Sequence, residues 1–268
     1  MLEGFFAWVL KGHFYLWLPA EIGKVVVSTA TLLFFLLIFL GLILWLPKRW
    51  TKFKNWKSRI WLQWNGTTRW RRKNFDLHSV IGFYSFLGAF ILSITGLYYG
   101  YNWWAMMYYK LLGGDKEVFF EVPKANETGN FMKTEIVDSN VNRNVLDHIY
   151  SRYKSRLDTG VDVMMEIHPQ EEFNKCIEVS FNSSFVTYGG SDYIFVNPEN
   201  LESQKLEAVY GNRKGRTFAD KMMLWNYDIH TGGIWGWWGK LIMAIFSLLI
   251  ATLPITGFLM WWGRQNKP

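Results

Sequence analysis

Three stretches of this 268-residue chain are too long and too apolar to belong to an ordinary soluble core: Val25 to Pro47, Ser79 to Gly100 and Leu241 to Trp262. Each approaches the roughly 20 apolar residues that cross a bilayer core of about 30 Å. Inside hydrocarbon such a segment satisfies its backbone hydrogen bonds as a helix. Three transmembrane helices are therefore predicted.

The charges between them set an orientation. Residues 48–77 carry ten Lys and Arg against one acid, Asp76, whereas Tyr101 to Ile229 carries fourteen bases and nineteen acids. The positive-inside rule assigns the short basic loop to the cytoplasm and the acidic segment to the other side. The expected order is an extracytoplasmic or interfacial segment over 1–23, a helix over 24–47, the basic loop over 48–77 and a second helix over 78–101. An extracytoplasmic domain over 102–229, an interfacial turn and third helix over 230–262, and a cytoplasmic tail over 263–268 complete it. Tryptophans at the span ends, among them Trp45, Trp50, Trp103, Trp104, Trp237, Trp238, Trp261 and Trp262, match an interfacial aromatic belt. The net charge of +7 resides in the basic loop, which reads as topology and contact with anionic membrane lipid; the sequence carries no nucleic-acid motif. Residues 1–22 lack the basic start and small-residue cleavage site of a signal peptide. A preceding helix, absent from this sequence, is expected.

The chain also repeats itself. Gly23-Lys24 matches Gly239-Lys240; seventeen residues beyond each Lys stand Gly41 and Gly257, then Trp45 aligns with Trp261 and Lys48 with Arg264. His13 and His230 precede their lysines by eleven and ten residues. This is read as an internal duplication, the competing reading being that any two like-oriented spans share a cationic entrance and a Trp-cation exit. The second span instead carries a stripe of His78, Gly82, Ser85, Ala89, Ser93 and Gly96. Such a stripe serves close helix packing or, with a histidine at its head, the face of a flat macrocycle. Asp76 and Asp228, each two residues before a histidine, are read as helix N-caps.

His13, His78 and His230, one at each span entrance, form an intramembrane ionisable set, which marks function. Zinc and copper sites need several ligands converging on one ion. Haem needs one or two, because the porphyrin supplies four nitrogens. The single cysteine, Cys176, excludes a CxxCH haem attachment, so bis-histidine haem b fits the count. His13 and His230 share one depth and can share one haem. His78 lies at the opposite face, and its partner is expected from the absent helix. Lys24 and Lys240 could pair with haem propionates or snorkel to the interface.

Asp76-Leu77-His78-Ser79-Val80-Ile81-Gly82 followed by Ile94-Thr95-Gly96-Leu97 resembles the PepSY-associated transmembrane family, as does His230-Thr231-Gly232 followed by Gly239-Lys240 and Ile255-Thr256-Gly257-Phe258. The resemblance implies an α-helical bacterial inner-membrane protein, four-helix in the intact pattern, with PepSY-like extracytoplasmic domains. It also implies haem-dependent reduction of a ferric siderophore or other ferric chelate, with His13, His78 and His230 on the family's histidine positions. Set against that pattern, the first helix and first PepSY-like domain are expected to be missing from this sequence, and no electron donor can be read from it.

The acidic segment reads as a small α+β domain. Val145, Ile149, Tyr153 and Leu157 predict a helix over 142–158. Val161 to Ile167, Cys176 to Phe181, Ser191 to Val196 and Lys205 to Val209 predict strands. His148 and His168 are read as surface and strand-end residues. The competing functions are a membrane-anchored binding or regulatory module without pigment, and an electron-transfer subunit serving a separate reductase. No nucleophile-base constellation, phosphate-binding loop or dinucleotide fingerprint appears.

Overall fold

The computed structural model describes residues 4–47, 53–117, 119, 139–169, 175–184, 187, 189–204, 208–211 and 213–265. The chain forms two compact units, Met1–Ala105 with Ile229–Pro268, and Met106–Asp228.

In the first unit, α1 (Phe5–Tyr15) leads into α2 (Ala20–Trp45), α3 (Phe53–Ile60) and α4 (Trp70–Gly100), and α5 (Asn102–Leu111) leaves toward the second unit. After it the chain returns through α9 (Asn226–Thr231), a 3-10 turn (Gly233–Trp235) and α10 (Gly236–Gln265). Three of these helices are long and apolar enough to cross a membrane: α2, α4, and α10 together with the turn before it. Their exposed Leu, Ile and Phe faces are what lipid contact requires.

α4 is the middle helix, packed by α2 on one side and α10 on the other. A third of its apolar window is buried, against 6% for α2 and 11% for α10. Its small residues explain the placement: Ser85, Ala89 and Ser93 are buried, and a Cβ on Gly88 would overlap the ring of Phe246 on α10. Small side chains let backbones approach where lipid supplies no hydrophobic drive. Ser85 and Ser93 return their hydroxyl protons to the Ile81 and Phe90 carbonyls of their own helix. Against α2, Trp45 stacks on Phe83 with centroids 4.4 Å apart, while Phe90 meets Phe35 and Phe39. Trp45 and Trp104 are thus packed into the bundle, Trp104 donating to the Ile94 carbonyl at 3.2 Å, whereas Trp103, Trp237, Trp238, Trp261 and Trp262 stay exposed; Trp50 lies outside the described residues. Part of the basic loop caps a helix: Arg59 Nη1 donates to the Trp45 carbonyl at 2.7 Å, as cations near helix C-termini do.

In the second unit, α6 (Ser139–Tyr153) and α7 (Ser155–Asp158) precede β1 (Met164–His168), β2 (Ile177–Asn182), β3 (Asp192–Val196) and β4 (Ser203–Gln204), and α8 (Phe218–Leu224) follows. The strands form an antiparallel sheet in order β1-β2-β3-β4. Ile149 on α6 packs with Ile177, Val179, Phe181 and Val196, and Val145, Leu146 and Tyr153 extend that core. The predicted helix breaks at Lys154 into α6 and α7. A fourth strand pairs at Ser203–Gln204; of the predicted strand Lys205 to Val209, residues 205–207 lie outside the described residues and 208–209 fall in a bend.

Two charged networks brace this unit. Arg156 bridges buried Asp162 at 2.7 Å and Asp192 at 3.0 Å, Arg213 reaches Asp162 at 2.7 Å, and the Arg156 guanidinium lies 3.8 Å from the Phe181 ring centroid. Fully buried Asp220 accepts from Tyr109 Oη at 2.9 Å and from Lys116 Nζ at 2.8 Å, and with Thr217 forms the capping box of α8.

Candidate functional site

α1 ends at Tyr15, and Leu16 and Trp17 follow with φ of 51° and 58°, a left-handed conformation that non-glycine residues rarely adopt. The reversal folds the Trp17 indole over Gly12, and Trp17 Nε1 donates to the Trp8 carbonyl at 2.9 Å. Tyr15 is thereby pressed against α2 at Gly23, where a Cβ would overlap the Tyr15 carbonyl oxygen and sit 2.7 Å from its Cα. The chain before α10 solves the same problem in the same way. Gly232 and Gly236 turn at φ of 77° and 62°, and Gly232 lies against Gly239, where a Cβ would overlap the Gly232 carbonyl. In both places the residue two beyond a histidine, Tyr15 after His13 and Gly232 after His230, sits on the glycine that precedes a lysine. The Gly-Lys repeat is therefore a packing device that sets a histidine at the mouth of a membrane helix.

The two turns bring His13 and His230 together, with ring centroids 6.1 Å apart and planes at 45°. Tyr99 meets the His230 ring edge-on at 6.5 Å. His13 is exposed and His230 half-buried.

His230 is fixed from its far side by α4. Its Nδ1 lies 2.8 Å from Thr95 Oγ1, and a Cβ on Gly96 would stand 3.6 Å from its Cε1. The hydroxyl has one proton, and Thr95 directs it to the Ile91 carbonyl at 2.6 Å. With that proton on the carbonyl, Oγ1 can accept from a His230 protonated on Nδ1, the tautomer that keeps the Nε2 lone pair.

His78 meets α10 in the same arrangement. Its Nδ1 lies 2.8 Å from Thr256 Oγ1, whose proton goes to the Thr252 and Leu253 carbonyls at 2.9 and 3.1 Å. A Cβ on Gly257 would stand 3.5 Å from His78 Cε1. α4 and α10 thus exchange contacts: the histidine at the start of each path is held by the Ile-Thr-Gly at the end of the other. Each ring is thus held through Nδ1 beside a threonine hydroxyl, an arrangement that suits the tautomer in which neutral imidazole binds a metal through Nε2.

His78 is not brought near the other pair. Seventeen residues of α4 separate it from Thr95, about 26 Å of helix. Lys24 and Lys240 are exposed beside Gly23 and Gly239. Gly82, one turn beyond His78, has a Leu253 side-chain atom 3.9 Å from where its Cβ would be. The N-cap reading of the two aspartates is overturned. Asp76 is buried inside α4, because the helix starts at Trp70, and it pairs with Arg72 at 2.9 Å. Asp228 is buried in α9 and accepts from the Gly189 N–H at 2.8 Å. His148 is exposed on α6, and His168 ends β1, 3.8 Å from Glu166. Among the described residues no group of three or more His, Cys, Asp and Glu side chains could hold a metal ion.

The threonines stand in the quoted motifs, but the sequence alone assigned them no role. Their signal was present, since Ile-Thr-Gly recurs at 94–96 and 255–257, but a threonine inside an apolar run reads as tolerated rather than required.

The PepSY-associated TM region model matches residues 2–264, and the chain belongs to that family. No curated protein matches it.

Proposed function

We propose that this multi-pass PepSY-associated membrane protein transfers electrons across the bilayer with haem b, ending in reduction of a ferric siderophore or another ferric chelate on the side of the acidic segment. The observation that carries the reading is the closeness of the His13 and His230 rings. Two imidazoles that bind one metal at about 2 Å each place their ring centres about 6 Å apart, and this pair stands at 6.1 Å. The residues fit such a group, and two ligands suffice where the described residues offer no larger cluster.

His13 and His230 would hold haem b, which would supply a one-electron ferric/ferrous couple. The chain's own residues orient and tune. Thr95 holds the His230 ring and its tautomer, as outer-shell hydrogen bonds to metal-binding histidines do. Lys24 and Lys240 are the cations available to propionates, and Gly82 with His78 forms the corresponding face at the other end of α4. The basic loop at 48–77 supports placing His78 toward the cytoplasm of a bacterial inner membrane.

The test is a reduced-minus-oxidised absorbance spectrum of the purified chain, with haem quantified per polypeptide, for wild type and for His13→Ala, His230→Ala and His78→Ala. A b-type signal lost with His13→Ala or His230→Ala but kept with His78→Ala is the expected result. Well-folded wild-type protein that takes up no haem when haem is abundant overturns the proposal and favours a membrane-anchored binding module. A pigmented protein that reduces no ferric chelate points to an electron-transfer subunit.

A further inference from the structure

Between the start of α4 and the end of α10 lies a cavity of about 340 Å³, walled by Trp70, Arg71 and Phe75 on one helix and Leu259, Trp262 and Arg264 on the other. We infer that it binds the phosphodiester headgroup of an anionic phospholipid, with the two guanidinium groups on the phosphate and the apolar walls on the glycerol and first acyl carbons.

The chemistry of the wall points to this ligand. Two arginines in one small cavity offer planar, bidentate donors suited to phosphate oxygens. None of its lining residues is acidic. The nearest side-chain carboxylate in sequence, Asp76, pairs with Arg72 at 2.9 Å, and the Asn74 amide that also reaches the cavity donates to the Thr256 carbonyl at 2.9 Å.

Location selects lipid over a soluble anion. The cavity opens between two membrane-crossing helices, beside indoles of Trp70 and Trp262 that are 63% and 55% exposed. Tryptophan at such depth marks the headgroup layer. The same membrane face carries the basic stretch 48–77, which concentrates anionic lipid at the surface, and basic pockets between transmembrane helices bind anionic headgroups. The volume falls within the usual range of small-ligand sites, about 300–1,000 Å³. None of this depends on the histidines or on haem.

The experiment is a native mass-spectrometric titration of the full chain in detergent with dioleoylphosphatidylglycerol, against dioleoylphosphatidylcholine. Wild type is expected to retain one phosphatidylglycerol and to prefer it over phosphatidylcholine. At about a fivefold loss per cation near a lipid surface, Arg71→Gln with Arg264→Gln should weaken retention about thirtyfold. Lys57→Gln with Arg69→Gln, two cations at the same face but outside the cavity, should leave the bound lipid in place. Should the double arginine variant not fold, Leu259→Trp fills the cavity with both charges kept and is expected to expel the lipid. Equal retention of phosphatidylcholine, equal losses in pocket and control variants, lipid kept by Leu259→Trp, or displacement by inorganic phosphate each overturns the inference.

Discussion

Replacing Thr95 with valine tests the central chemical argument, because it removes one hydroxyl and little else. Thr95 is 4% exposed, so valine fits its space, and the Ile91 carbonyl that loses the threonine proton is already served by the helix. What disappears is the acceptor 2.8 Å from His230 Nδ1. Hydrogen bonds between membrane helices contribute on average about 0.6 kcal/mol and at most about 1.7, so the bundle should survive. Ligation is more sensitive, since loss of an outer-shell partner typically costs about 10–100-fold in metal affinity. Thr95→Val should therefore bind haem about 10–100-fold more weakly with little change in melting temperature, while Thr95→Ser stays close to wild type. Histidine 15N NMR of the haem-free protein gives a second readout. Wild type should show His230 protonated at Nδ1, and Thr95→Val a mixture of tautomers. Unchanged haem affinity together with an unchanged tautomer in Thr95→Val would refute the reasoning, and equal losses for valine and serine would show that shape rather than the hydroxyl matters.

Other outcomes follow from the same structure. Gly239→Ala forces a Cβ onto the Gly232 carbonyl and to 2.9 Å from Trp235 Cβ, and should destabilise the chain by about 1–3 kcal/mol, seen as a lower melting temperature; an unchanged melt would show that the turn before α10 yields. Burial works to raise the Asp220 carboxyl, but Lys116, the Thr217 backbone and Tyr109 together hold it below its ordinary value. Its contribution should thus be complete above an unfolded value near 3.9 and be lost as pH falls through the lower folded value. Burial and Asp220 push Tyr109 up to about 12; its neutral form should stabilise the fold fully below about pH 10 and lose that contribution as pH rises toward its folded value. Asp220→Asn strands Lys116, whose side chain is 23% exposed, and should cost about 2–4 kcal/mol while removing the Asp220 share of the acid-side loss in a pH series of thermal melts. Cys176 is buried, its thiol pushed up to about 11 by burial, so at neutral pH maleimide should label it only after denaturation; rapid labelling of folded protein would contradict that burial.

The spans were legible because bilayer thickness imposes a length that few other constraints do, but their ends were not. Hydropathy marks lipid contact, whereas a helix continues for as long as its backbone bonds do. α4 therefore begins at Trp70, nine residues before the apolar run at Ser79, and that displacement turned Asp76 from an expected cap into a buried partner of Arg72. Strand positions in the second unit were readable from alternation, yet β4 depends on pairing with β3 at Phe195–Val196, which a local pattern does not encode. The repeat showed that His13 and His230 occupy like places, but not that Gly23 and Gly239 exist to receive a carbonyl. A glycine required by a neighbouring backbone looks the same in sequence as one that is merely permitted.

The exchange between α4 and α10 carries one more consequence. Each helix path supplies a histidine at its beginning and a threonine acceptor at its end, and the two contacts lie near opposite ends of α4, about 26 Å apart. Nothing described bridges them except the helix pair itself, with Gly88 against Phe246 between the two ends. Sites that far apart with no shared partner should add within about 0.3–0.5 kcal/mol. Thr95→Val should perturb the NMR signals of His230 and spare those of His78. Thr256→Val should do the reverse, and the double variant should melt at the temperature given by the sum of the single losses. A response of His78 to Thr95→Val, or a clearly non-additive melt, would mean that α4 and α10 shift as one body and that the two histidines are coupled through the bundle rather than held independently at its ends.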